Sequence, residues 1–318
     1  MRILVVGAGA TGGFFGAHLA RAGRDVTFLV RPGRAAQLRE RGLRITGLGP
    51  DVVLDPRLVT AAEVDRPYDL VLLAVKAAGL PSALDDLATA VGPGTVIVPF
   101  LNGLAHLDVL NARFGEERVL GGVARVMTMV DDQGDIVRLG PIADLAIGEQ
   151  NARPSDRLKA IEAELTCAGF GIAVSSDIIR AMWHKWVFIS TLGALTTLMR
   201  GSVGEVVAVP GGDRLAPRIL AEAAAVSAAA GYPMSEGGIA AVTALLTEAG
   251  STDTASIYRD LVAGRPVEVE QIFGDLLDRA RALGVATPLL DLSTMGLRVH
   301  ENRRVRQRQK SSAAETGS

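Results

Sequence analysis

Arg2-Ile3-Leu4-Val5-Val6-Gly7-Ala8-Gly9-Ala10-Thr11-Gly12 sets the architecture of the first half of the chain. The apolar run Ile3 to Val6 stops at three glycines spaced G-x-G-x-x-G, and residues Gly13 to Ala22 then carry a helical composition up to Gly23. In such a strand, turn and helix the first glycine allows the tight bend and the second lets a pyrophosphate approach the backbone. The third lets helix and strand pack closely. The N–H groups of the helix start face the phosphates. A glycine-rich turn without a ligand is the competing reading; placement directly between strand and helix favours a dinucleotide, held by Gly7, Gly9, Ala10, Thr11 and Gly12.

The end of the second strand selects the cofactor. An acid there would accept a hydrogen bond from the ribose 2′-OH of NAD and repel a 2′-phosphate. The residues are Val30-Arg31-Pro32-Gly33-Arg34, with no acid and two guanidinium groups able to clamp a phosphate. NADP is therefore expected, with Arg31 and Arg34 as its readers. The alternative is that they begin a basic solvated helix, since Arg39, Arg41 and Arg44 follow.

Outward from this motif, short Val/Ile/Leu-rich runs alternate with helical segments, the pattern of parallel strands joined by crossover helices. The expected strands are Arg2–Val6, Asp25–Val30, Leu70–Val75, Thr95–Leu101, Val119–Met129 and Ala143–Gly148. The unbroken apolar run Leu70–Val75 predicts burial on both faces, as in a central parallel strand. Ligands of open parallel sheets lie beyond the carboxyl ends of the strands, which draws attention to Lys76 and to Asn102-Gly103. A solvated strand end and a plain turn are the bland readings of these two.

After about residue 150 strand-like runs become scarce, and Arg214–Ala230 and Val267–Leu283 have helical composition. Helix stops fall at Gly231-Tyr232-Pro233 and Gly284, and Thr287-Pro288 opens a further helix. Residues 1–174 are expected to form the dinucleotide-binding domain, 175–302 a helical substrate and dimerisation domain, and 303–318 a disordered tail, basic at its start. Ser175-Ser176-Asp177 reads either as a hinge or as a plain helix cap. Within Met182–Ile189, Lys185 has Ala181, Met182, Phe188 and Ile189 as its helical neighbours. A lysine so placed must snorkel, pair, or line a cavity, and the last would suit a general acid. His184 lacks a second ligand at metal spacing, so no metal site is expected.

The 318 residues suggest two domains, and 33 basic against 35 acidic side chains argue against nucleic acid as partner. One cysteine, Cys167, permits no intramolecular disulfide, and no apolar run reaches the roughly 18 residues of a membrane span. A cytoplasmic protein without membrane contact is the expectation.

The glycine turn, Lys76, Asn102-Gly103 and Trp183-His184-Lys185 together resemble the ketopantoate reductase family. Ser256-Ile257-Tyr258-Arg259-Asp260 with Gly264-Arg265-Pro266-Val267-Glu268 is similar to a further stretch of that family. The resemblance implies a Rossmann-type parallel-sheet domain followed by an all-α domain similar to that of 6-phosphogluconate dehydrogenase. It also implies reduction of 2-dehydropantoate to pantoate with NADPH, a step of pantothenate biosynthesis. By it, Lys185 is the general acid, Lys76 and Asn102 hold nicotinamide and substrate, Ser256 binds the substrate carboxylate, and Glu268 supports catalysis. The partner is then a small 2-oxo acid; helical domains of this kind often pair, which leaves a homodimer open. One departure stands out: Ile189 and Gly193 occupy positions where family members acting on ketopantoate carry asparagines. A more apolar 2-oxo acid, a hydroxyacid or opine-type dehydrogenase, and a non-catalytic NADP-binding regulator are the alternatives.

Overall fold

The computed structural model describes residues 1–167 and 169–316. The chain divides into two compact units, the first ending at Met182 and the second beginning at Trp183. The division falls inside a helix, Ile178–Met199, and so lies beyond the 174/175 boundary suggested by composition.

The strands of the first unit are β1 Arg2–Val6, β2 Asp25–Leu29, β3 Leu43–Gly47, β4 Val52–Leu54, β5 Leu58–Val59, β6 Leu70–Leu73, β7 Val96–Pro99, β8 Gly121–Val130, β9 Ile136–Gly148 and β10 Gly171–Val174. Its helices are α1 Ala10–Arg21, α2 Pro32–Arg41, α3 Leu80–Asp86, α4 Ala105–Phe114 and α5 Asp156–Leu165. One sheet has the order β5-β2-β1-β6-β7, and its pairings are parallel. From β1 the chain builds outward to β2 on one side and to β6 and β7 on the other, which makes the carboxyl end of β1 the topological switch point. The runs in β1, β6 and β7 are buried because helices cover both faces of such a sheet. Gly16 of α1 lets the helix lie on β2: a Cβ there would stand 2.6 Å from the Phe28 ring.

A second sheet, of order β10-β9-β3-β4 with β8 on β9, adds antiparallel pairings beside the expected parallel sheet. β8 and β9 form an antiparallel hairpin, irregular between Val126 and Thr128. The short strands β3, β4, β5 and β10 are additions to the expected set; each exists because a neighbouring edge supplies its hydrogen bonds.

In the second unit, following α6 Ile178–Met199, come α7 Val203–Val207, α8 Leu215–Ala229, α9 Glu236–Leu246, α10 Ser256–Val262, α11 Asp275–Ala282 and α12 Pro288–Thr316. Its core gathers Trp186, Val187, Leu195, Ile219, Val226, Phe273, Leu276 and Leu290. The segment expected as one helix over Val267–Leu283 contains a π turn, Glu270–Gly274, before α11. α12 starts on the Glu222 carboxylate, which accepts from the Leu289 and Leu290 amides at 3.0 Å. Residues 303–316, expected as a disordered tail, continue α12, and the Glu301–Arg304 pair at i,i+3 supports the helix where this stretch begins. Residues 317–318 lie outside the described residues.

Candidate active site

The glycine turn sits at the switch point. Gly7 takes φ +95, a left-handed bend that side chains resist, and its amide donates to Leu29 O of β2 at 3.0 Å. A Cβ at Gly12 would lie 2.1 Å from Gly7 O and 2.8 Å from Ala74 Cβ, so only glycine lets α1 start against β1 and β6. At Gly9 the space is open, with nothing within 4 Å of an added Cβ. Gly9 caps α1 without a side-chain hydrogen bond, and no acid occupies the first turn containing Ala10, Thr11 and Gly12. These features give a cradle of backbone amides open on one side and electrically suited to an anion, which fits a dinucleotide pyrophosphate.

The two arginines after β2 part company. Arg34 is built in: it donates to Ala8 O at 3.0 Å, Gly134 O at 2.9 Å and Gln37 Oε1 at 2.6 Å. Burial lowers the basicity of its guanidinium, with Asp135 acting in the opposite direction. It therefore fastens the glycine turn to the β8–β9 hairpin loop. Arg31 is exposed at the start of α2, and its Nη2 donates to Ser82 Oγ at 3.2 Å, in the segment after β6. Since β2 and β6 flank β1, Arg31 reaches across the mouth of the turn.

β6 ends at Leu73, and Lys76 is exposed at the head of a short turn, Ala77–Gly79. Asn102 is half-buried beyond β7, and Gly103 at φ +74 makes the bend before α4. Both therefore lie past the carboxyl ends of parallel strands on the same side of the switch point, Lys76 after β6 beside β1 and Asn102 after β7 one strand further out.

In the second unit Lys185 is half-buried near the middle of α6, less enclosed than its apolar neighbours implied. Ala181, Phe188 and Ile189 are half-buried with it, while Trp183, Trp186 and Val187 on the opposite side are packed into the core. Asp177 caps the start of this helix, accepting from the Arg180 amide at 3.0 Å, so the cap reading of Ser175–Asp177 has its contacts. Ser256 is exposed as the first residue of α10, and the next residue, Ile257, is buried. Glu268 is half-buried just before the π turn, where its main-chain oxygen accepts from the Ile272 amide. Nearby Glu270 is committed elsewhere: Arg298 chelates it at 2.8 and 2.6 Å, and these hydrogen bonds hold its carboxyl below the ordinary value.

Two features carried no signal in the sequence reading. The Trp186 indole donates to Ile272 O at 2.8 Å and pins the π turn to α6. A cavity of about 550 Å³, lined by Glu117, Glu149, Arg153 and Arg157 among others, lies toward the amino end of β7, opposite the glycine turn. Its Glu149 accepts from Ser155 at 2.6 Å and Arg157 Nε at 2.7 Å; burial opposes its ionisation, but these partners outweigh burial and hold the carboxyl below its ordinary value. Among the described residues no group of three His, Cys, Asp or Glu could hold a metal ion, and no helix is long and apolar enough to cross a membrane.

A parallel sheet with a phosphate-accepting glycine turn at its switch point, followed by a helical unit, defines a dinucleotide-binding protein of two units. Residues 3–152 match the family described as ketopantoate reductase PanE/ApbA, and residues 177–301 match its C-terminal counterpart. An uncharacterized oxidoreductase of Bacillus subtilis, YkpB, is 32% identical, the alignment covering 95% of this chain and 99% of that protein. A 2-dehydropantoate 2-reductase of Mesorhizobium japonicum is 28% identical over 92% of this chain and 95% of its own. The crystal structure of 2-dehydropantoate 2-reductase from Geobacter metallireducens superposes with a TM-score of 0.85 at 29% identity, covering 94% of this chain and 99% of that one. The chain belongs to the ketopantoate reductase family and is an NAD(P)-dependent oxidoreductase.

Proposed function

We propose that the protein reduces a 2-oxo acid to the corresponding 2-hydroxy acid with NADPH, and that 2-dehydropantoate is the first substrate to test. The observation carrying this reading is the open cradle at Gly9 with Arg31 across its mouth, in a chain whose relatives include 2-dehydropantoate 2-reductases. The balanced reaction takes one 2-oxo acid, one NADPH and one proton to one 2-hydroxy acid and NADP⁺. When bound, the cofactor supplies the hydride.

The chain's own groups do the rest. Gly7, Gly9, Ala10, Thr11 and Gly12 hold the pyrophosphate against backbone amides, and Arg31 reads the 2′-phosphate while Arg34 steadies the turn. Lys76 and Asn102 orient nicotinamide and substrate. Lys185 Nζ donates the proton to the carbonyl oxygen as negative charge develops there, Ser256 Oγ binds the substrate carboxylate, and Glu268 supports the lysine. A second reading, a more apolar 2-oxo acid, is favoured by Ile189 and Gly193 on the helix that carries Lys185.

The test is the initial rate of NADPH oxidation with ketopantoate and a panel of 2-oxo acids, with Lys185→Ala as the blank. Turnover that depends on Lys185 supports the reading. Tight NADPH binding with no turnover of any 2-oxo acid would replace it with a regulatory role.

A further inference from the structure

Glu268 lies in a loop rather than within a helix. Residues 265–268 form neither helix nor strand, and Gly264 at φ +64 makes the turn that separates them from α10. Pro266 has no amide to donate, so this backbone depends on groups from outside the loop. Its start is tied to α10: the Arg265 amide donates to Asp260 O at 2.8 Å, and the Arg265 guanidinium pairs with the Asp260 carboxylate at 3.0 Å.

α12 grips the loop on either side of Glu268, from two residues one helical turn apart. Glu301 Oε1 accepts from the amide of Val267, the residue before Glu268, at 3.0 Å. Arg298 chelates Glu270, two residues after it, at 2.8 and 2.6 Å. Glu301 is itself fixed within α12, where Arg304 donates to its Oε2 from Nε at 3.1 Å and from Nη2 at 2.9 Å. Burial opposes the charge on Glu301, but Arg304 and the Val267 amide outweigh burial and hold the carboxyl below its ordinary value. On the far side, Glu268 O accepts from the Ile272 amide at 3.2 Å, and Ile272 O accepts from the indole of Trp186, the neighbour of Lys185, at 2.8 Å. The backbone around Glu268 is thus referred both to α12 and to the turn of α6 that carries Lys185. An exposed ion pair such as Arg298–Glu270 adds little stability by itself. What these contacts have in common is the residue they bracket.

We propose that Glu301 is a positioning residue for the reduction: with Arg298 it sets the backbone that aims the Glu268 carboxylate, and it acts through Glu268 rather than on the substrate. This rests on the reading that Glu268 supports Lys185. A catalytic group misplaced by roughly 1 Å through a remote change loses up to about 10²-fold in rate, so the hold on Val267 bears on turnover more than on cofactor binding.

The experiment measures kcat, KM and NADPH affinity for Glu301→Ala, Glu301→Gln, Glu301→Asp, Glu268→Ala and the double variant Glu301→Ala/Glu268→Ala. The substrate is whichever 2-oxo acid of the panel the wild type turns over fastest, ketopantoate being tried first. Glu301→Ala is expected to lower kcat by about 10- to 100-fold, with NADPH affinity unchanged in a fluorescence titration. Glu301→Gln keeps an acceptor within reach of the Val267 amide and retains most of kcat. Glu301→Asp keeps the charge for Arg304 but withdraws the acceptor by one methylene, so it is slower than Glu301→Gln; a role in charge pairing alone gives the reverse order. The double variant is no slower than Glu268→Ala, because nothing remains to be aimed. Equal losses from Glu301→Ala in both backgrounds, or Glu301→Asp faster than Glu301→Gln, overturn the positioning role and leave Glu268 in place. Glu268→Ala with wild-type turnover overturns the Glu268 reading itself, and absence of Lys185-dependent turnover with any 2-oxo acid overturns both. The comparison of Glu301→Gln with Glu301→Asp stands even where Glu301→Ala folds poorly.

Discussion

Gly9→Ala and Gly12→Ala differ by three residues in position and are expected to fail in different ways. At Gly12 the new methyl carbon would stand 2.1 Å from Gly7 O and 2.8 Å from Ala74 Cβ. Non-bonded carbon contacts settle near 3.5 Å, so α1 and the turn would have to separate by roughly 1 Å or more. Overpacking of this kind costs about 1–3 kcal/mol, and at about 2–4 °C per kcal/mol for a domain of this size the first unit should melt roughly 2–12 °C lower. At Gly9 the methyl meets nothing within 4 Å, and its φ of −91 suits alanine. The apo protein should therefore melt within about 2 °C of wild type, since substitutions away from packed or strained sites usually change stability by no more than about 0.5 kcal/mol. What Gly9→Ala removes is the approach of the pyrophosphate. Ligand at a hundred times its Kd stabilises by about 2.7 kcal/mol, so wild type should gain roughly 5–11 °C with NADPH and Gly9→Ala almost nothing. Calorimetry or thermal-shift melts of both variants, with and without NADPH, read all four values. A Gly9→Ala protein that keeps the full NADPH shift would refute the assignment of the cradle. A Gly12→Ala protein with a wild-type melting temperature would refute the packing argument.

Lys185→Ala should lower kcat by about 10²–10⁴, with NADPH affinity unchanged in a fluorescence titration; unchanged turnover would remove the general-acid assignment. Arg31→Ala should weaken NADPH by about tenfold or more and leave NADH nearly unaffected, as expected for a lost charge-assisted phosphate contact. Arg34→Ala, by contrast, should weaken both cofactors alike and lower the melting temperature, because its partners are Ala8 O and Gly134 O; selective loss of NADPH would reverse the two roles. Glu149, held below its ordinary value of 4.5 by Arg157 and Ser155 against the effect of burial, adds stability above that value that is lost as pH falls through the lower folded value. Glu149→Gln should be less stable than wild type by about 1–3 kcal/mol near neutrality. The gap should close as denaturation midpoints are followed below pH 4.5, and a constant gap would exclude the linkage.

The order of elements in the first unit was legible because its signals are local. A glycine triplet between an apolar run and a helix needs nothing distant to be recognised, and strands buried on both faces announce themselves as unbroken runs, as in Leu70-Val71-Leu72-Leu73. β4 and β5, of three and two residues, carry no such run and exist only where a neighbouring edge supplies partners. The π turn was hidden for a similar reason: Glu270–Gly274 has ordinary helical composition, and its spare carbonyl is satisfied by an indole 86 positions earlier.

The candidate site divides along the same line. Residue types and spacings in the sequence were enough for a dinucleotide turn, for Lys185 on a helix and for the apolar character of Ile189 and Gly193, since these depend on backbone geometry and helical period alone. Tertiary structure separated Arg31 from Arg34, whose bonds to Ala8 and Gly134 span 26 and 100 residues, and set Phe273 into the space beside Gly193. Hydrogen-bond partners and packing neighbours are properties of the folded chain, so two arginines alike in the sequence become an exposed candidate reader and a half-buried fastening.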